Sequence, residues 1–156
     1  MIPEQAVFIM GKVKPLYNLR HERSETVALA HVTLATRELA RSTAFFHEVM
    51  GWTPIGRPRN NAAPAAWLQV APGQELHLVE VPGFEPSAFE EEYGRHVAFS
   101  FPRAEFKALK DRLIAHGAKL IEPLRETPFD RFFFRDPNGY LFEVLEEART
   151  EEDLVK

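Results

Sequence analysis

Ala30-His31-Val32-Thr33-Leu34 and Arg95-His96-Val97-Ala98-Phe99 are two versions of one short run, each with a histidine in second place ahead of apolar residues. Successive side chains of a strand face opposite ways, so Val32 and Leu34 can pack beneath a helix while His31 looks out of the other face. The surroundings of the first run supply that helix. Thr36 can cap it, Glu38 falls in its first turn, and residues 37–50 carry apolar side chains at helical spacing up to Gly51, which can end it in a left-handed conformation. Three strands are expected next, at 52–56, 65–70 and 75–81, separated by the proline-rich loop 58–64 and the Pro72-Gly73 turn.

The same order begins again at the second run. Strand 96–101 is followed by an amphipathic helix over 104–116 that stops at Gly117, then by strands 119–123, 131–135 and 140–146. Asp136-Pro137-Asn138-Gly139 joins the last two as a hairpin: Pro fixes φ, Asn tolerates a left-handed backbone and Gly accepts positive φ. The expectation is an α+β chain of two βαβββ modules, 27–81 and 95–147, forming a curved mixed sheet around a metal-binding cup. Residues 1–26 show no sustained period and read as an N-terminal arm, 82–94 as a linker, and 148–156 as a charged C-terminal tail.

Composition narrows the function. At 156 residues and 45% hydrophobic, the chain can bury one core, and 13 Phe against 3 Met favour rigid packing around a preformed pocket. With 23 acidic and 19 basic residues interspersed, there is no basic stripe to displace counterions from a nucleic acid. No apolar stretch reaches the roughly 20 residues that cross a bilayer. Residues 1–14 lack the basic and small-residue flanks of a signal peptide. A cytoplasmic protein acting on a small molecule is expected. Without cysteine, any metal must be held by imidazole and carboxylate.

The two modules place polar residues inside apolar strands at matching points. His31 precedes His77 by 46 positions and His96 precedes Glu143 by 47, with Leu76-His77-Leu78 matched by Phe142-Glu143-Val144. A lone strand histidine is usually structural. A carboxylate between Phe142 and Val144 needs a cation, a base or a proton, and the doubled spacing makes a shared site the better account. If a pseudo-twofold axis relates the modules, His31, His77, His96 and Glu143 converge on one divalent cation: zinc, nickel, cobalt, manganese or ferrous iron. His21, His47 and His116 fall in the arm and on helices and are set aside. Phe45, Phe46, Phe132, Phe133 and Phe134 read as core, with one face of strand 131–135 lining the cup. Arg131 and Arg135 could meet an anionic substrate but read better as surface residues.

These motifs, together with Phe45-Phe46-His47-Glu48-Val49-Met50-Gly51-Trp52 and the run from Phe134 through Asp136-Pro137-Asn138-Gly139 to Glu143, resemble the vicinal oxygen chelate superfamily. That superfamily includes glyoxalase I, fosfomycin and bleomycin resistance proteins, and extradiol dioxygenases. The resemblance covers residues 29–147 and implies His31, His77, His96 and Glu143 as metal ligands. Glyoxalase I generally has a carboxylate where this chain has His77, and bleomycin-binding members generally lack the metal. What it implies first is a glyoxalase-like lyase or isomerase that chelates adjacent substrate oxygens, with Glu143 on transient release from the metal, or a metal-bound hydroxide, moving the proton and Glu75 or Glu80 as weaker candidates. Alternatives are a ferrous extradiol dioxygenase, a fosfomycin-resistance-type thiol transferase and, last, a binding module without catalysis. The resemblance also implies a homodimer, in which a site can be built within one chain or between two.

Overall fold

The computed structural model describes residues 29–57 and 63–147, so the expected arm 1–26, the tail 148–156 and most of the 58–64 loop lie outside the described residues. The elements run β1 (His31–Thr36), α1 (Leu39–Met50), β2 (Thr53–Ile55), β3 (Ala65–Ala71), β4 (Gln74–Glu80), β5 (Val97–Phe101), α2 (Phe106–Ala115), β6 (Lys119–Ile121), β7 (Arg131–Arg135) and β8 (Leu141–Glu146). The expected βαβββ order appears twice. Each module forms its own four-stranded mixed sheet, β1-β4-β3-β2 and β5-β8-β7-β6. The first and last strands of each module pair parallel and the others antiparallel. A parallel pair needs a long crossover, which the helix and the two intervening strands supply.

The duplication extends to strand register. Thr33 lies opposite His77, and His31 stands two residues before Thr33; Ala98 lies opposite Glu143, and His96 stands two residues before Ala98. Residues directly opposite share a face and so do residues two apart, so each module carries its pair on one face of its sheet.

The start of α1 differs from expectation. Thr36 closes β1 fully buried, with Oγ1 2.5 Å from Ser42 Oγ and 3.1 Å from Asn138 Oδ1. Its oxygen also accepts from the Glu38 amide at 3.2 Å, closing a turn just ahead of the helix. Glu38 takes the cap position without a capping bond from its own side chain. The first helical amide, Leu39 N–H, donates instead to Glu80 Oε2 at 2.9 Å, a carboxylate on a positive helix end. Gly51, at φ 74°, ends the helix as expected, its N–H donating to His47 O. In the second module a 3-10 turn over Arg103–Glu105 takes up the first residues of the expected helix.

The core joins the modules. Phe46 stacks on Trp52 with planes 5° apart and meets Phe142 of the other sheet edge-on at 5.6 Å, while Phe45 reaches Phe134. Phe46, Phe134 and Val144 are fully buried. Polar ties reinforce this seam: Ala35 N–H donates to Tyr140 Oη and Arg37 N–H to Asn138 Oδ1. In the hairpin, Asp136 Oδ1 accepts from the Asn138 and Tyr140 amides, and Gly139 turns at φ 99°. Burial is the largest influence on Asp136 and raises its pKa despite these donors.

Candidate metal centre

On the first sheet, the face opposite α1 carries His31, His77, Glu75 and Trp67. His77 is clamped. Trp67 stacks on its ring at 3.9 Å, His31 stacks at 4.2 Å, and Nε2 lies 2.8 Å from Glu75 Oε2. Strand alternation produces this arrangement, because Trp67 is opposite His77 across β3 and β4, and Glu75 is two residues away on the same face. His31 is exposed on the first strand of the sheet, whereas His77 is buried.

On the second sheet, His96 Nε2 lies 3.3 Å from Glu143 Oε2, and Arg131 Nη1 donates to Glu143 Oε1 at 2.7 Å. Phe133 stands edge-on to the His96 ring. Glu143 is 7% exposed, so its charge is balanced at close range by Arg131 rather than by water. Behind Arg131, Glu92 from the linker accepts from Nη2 at 2.5 Å. Burial, the largest influence on Glu92, raises its pKa, but the Leu124 amide, Arg131 and Arg125 together outweigh burial and leave the pKa lowered. For Arg131 burial again opposes the charge, and Glu143 and Glu92 overcome it, so its pKa is raised.

The four expected ligands are thus brought together as two pairs. Among the described residues, no group of three or more His, Cys, Asp or Glu is placed to hold a metal ion. The donors nevertheless suit one. Three imidazoles and a carboxylate match a divalent ion of intermediate hardness, and His96 Nε2 and Glu143 Oε2 stand 3.3 Å apart, close enough to be neighbouring ligands of one ion. The stack sets one condition. An imidazole donates in its ring plane, and the planes of His31 and His77 are 14° apart, so one ring must turn before both can meet a single ion.

Several expectations need correction. Arg131 is not a surface residue, its side chain being 2% exposed, because alternation along β7 puts residues 131 and 133 on the face of Glu143. Arg135 donates to the carbonyls of Gly139 and Glu90. Glu80 caps α1 on the opposite face of β4 from His77, which removes it as a proton carrier. His47 and His116 stay outside the site as expected, His47 bonding Trp52 O and His116 pairing with Glu48; His21 lies outside the described residues. Sequence reasoning missed Trp67 as a partner of His77, and Glu92, which lies in an acidic run that reads as solvated linker. The alternation of strand 65–70 could have shown Trp67; no local signal marks Glu92.

Residues 28–144 match the model of the Glyoxalase/Bleomycin resistance protein/Dioxygenase superfamily, and the chain belongs to that superfamily. It is similar to glyoxylase I 4 of Arabidopsis thaliana, 28% identical over 125 residues that cover 75% of this chain and 69% of that one. It is also similar to the glutathione transferase FosA of Serratia marcescens, 30% identical over 118 residues that cover 75% and 79%. A mutant of the fosfomycin resistance protein FosX from Listeria monocytogenes, solved with Mn(II) and 1S,2S-dihydroxypropylphosphonic acid, shares the fold at TM-score 0.67 and 20% identity, over 84% of this chain and 98% of that one. No helix among the described residues is long and apolar enough to cross a membrane.

Proposed function

We propose that this protein is a divalent-metal-dependent, glyoxalase-like enzyme, a lyase or isomerase acting on a small substrate that offers two adjacent oxygens. The observation that carries the reading is the repeated register, which gives His31 with His77 and His96 with Glu143 equivalent stations in the two modules. One ion of zinc, nickel, cobalt, manganese or iron would be held by these four residues. Because they form two groups in one chain, the ligand set is completed by a second copy, one module coming from each. Phe89, Tyr93 and Leu124 support a covered surface, since they are 75%, 73% and 73% exposed on the segments that bear Glu92 and its amide partner.

When bound, the ion supplies Lewis acidity to the two substrate oxygens. Glu143 would move the proton through Oε2 when that oxygen is transiently released from the ion, since Oε1 is held by Arg131. Glu75 fixes the His77 ring through Nε2. A second reading, thiol transfer of the fosfomycin-resistance kind, is favoured by the 30% identity to FosA and by a histidine rather than a carboxylate at position 77.

Metal analysis of protein purified without added metal or chelator tests this reading, with a His96→Ala, Glu143→Ala variant as the blank. Near-stoichiometric ion in the protein and none in the variant supports the centre. Turnover of a hemithioacetal then favours the isomerase, and joining of a thiol to a fosfomycin-like substrate favours the transferase. Both proteins empty, with no thermal stabilisation by any added metal, would overturn both.

A further inference from the structure

Arg131 has a burial that packing does not require. Its side chain is 2% exposed, and its guanidinium lies 5.2 Å from the centre of the Phe133 ring. Burying a cation costs several kcal/mol before its partners are counted, and an apolar side chain of similar volume commonly does as well or better. The retained charge therefore has something to hold.

What it holds is defined by its three nitrogens. Nη1 donates to Glu143 Oε1 at 2.7 Å; Nη2 donates to Glu92 Oε1 at 2.5 Å and to Arg125 O at 2.9 Å; Nε has no partner among the described residues. Arg131 thus spans two carboxylates instead of gripping both oxygens of one. Glu92 is fixed in turn, its Oε2 accepting from the Leu124 amide. The oxygen of Glu143 that Arg131 leaves alone, Oε2, is the one 3.3 Å from His96 Nε2.

We propose that Arg131 is a positioning residue that, braced by Glu92 of the linker, restricts Glu143 to presenting Oε2 alone to the ion. The inference rests on the metal-centre reading above. A carboxylate free of this contact can turn and offer both oxygens to one cation; with Oε1 committed, it is a one-oxygen ligand, which leaves one more position for substrate. The linker joining the modules becomes part of the centre through Glu92.

Cobalt(II) is the probe, because its visible absorption weakens as its coordination number rises and its affinity follows from the same titration. The variants are Arg131→Met, Arg131→Lys, Glu92→Gln and the double variant Arg131→Met, Glu92→Gln, which removes one charge of each sign and so separates geometry from charge. Arg131→Met and the double variant are expected to bind cobalt about 10–100-fold more weakly, with a weaker visible band. Arg131→Lys should not restore either, since an ammonium cannot fork between two carboxylates. Glu92→Gln should move both readouts the same way by less, and it reports alone if the Arg131 variants fail to fold. A cooperatively melting double variant with wild-type affinity and spectrum would overturn the proposal, as would an unchanged Glu92→Gln where the Arg131 variants do not fold. A wild-type chain that takes up no cobalt would instead overturn the metal centre itself, and the proposal with it.

Discussion

The imidazoles of His31 and His77 lie face to face, their centroids 4.2 Å apart and their planes within 14°. Trp67 covers the other side of His77 at 3.9 Å, and Glu75 holds its Nε2. His77 is therefore fixed on three sides, whereas His31 is exposed and packed on one. Of the two rings that must leave parallel alignment to share an ion, His31 is the one free to turn.

A ring leaving one side of this stack changes the surroundings of Trp67. Trp52 stacks on Phe46 in the core rather than on either histidine, so its surroundings change less. Titration with zinc is therefore expected to shift the intrinsic fluorescence, with the response lost in Trp67→Phe and in His77→Ala and kept in Trp52→Phe. A response that survives Trp67→Phe would refute the turning of this stack.

Glu80 offers a test of which face of β4 serves which purpose. Its carboxylate accepts from the Leu39 amide, so Glu80→Ala should lower stability by about 0.5–2 kcal/mol, as loss of a helix cap does, and leave metal affinity unchanged. Denaturant unfolding measures the first and a metal titration the second. A large loss of metal affinity at wild-type stability would place Glu80 in the site after all.

Two kinds of information were present in the sequence to different degrees. The strands, the doubled βαβββ order and the hairpin at Asp136 to Gly139 were legible because they depend on local periodicity and turn chemistry. The pairs His31 with His77 and His96 with Glu143 were legible because a duplication repeats spacing as well as pattern. Glu92 was not: its partners Arg131 and Leu124 lie 39 and 32 residues further along, and nothing within its acidic run distinguishes it from solvated neighbours. Thr36 misled for a related reason. It has the composition of a helix cap and accepts the Glu38 amide, but its hydroxyl also reaches a partner 102 residues away, and the helix begins only at Leu39, behind Glu38.

Glu92 should also leave a mark on the acid limb of stability. Its folded pKa is lowered from the ordinary value of 4.5, so its ion pairs stabilise the fold fully above that value. The contribution is lost as pH falls through the lowered folded pKa, where the native state must take up a proton that the unfolded state already holds. Melting temperature measured downward from about pH 6 should therefore drop less steeply in Glu92→Gln than in the wild type, from a lower plateau. Parallel curves would show that the pairs with Arg131 and Arg125 contribute nothing measurable.

The two-pair arrangement makes a last prediction that separates a site between two copies from one closed within a single chain. One variant, His31→Ala, His77→Ala, loses the pair on the first sheet; another, His96→Ala, Glu143→Ala, loses the pair on the second. Each alone should bind no ion under either arrangement. In a mixed pair of chains with the site between copies, the intact first module of one meets the intact second module of the other, so one complete site forms and the opposite site lacks all four ligands. Co-refolding the two variants is then expected to restore up to half of the wild-type ion content per mixed dimer, and with it the corresponding share of activity. If the ligands instead close within one chain, no combination restores a complete set. A mixture that associates yet stays empty would therefore assign all four ligands of each ion to a single copy.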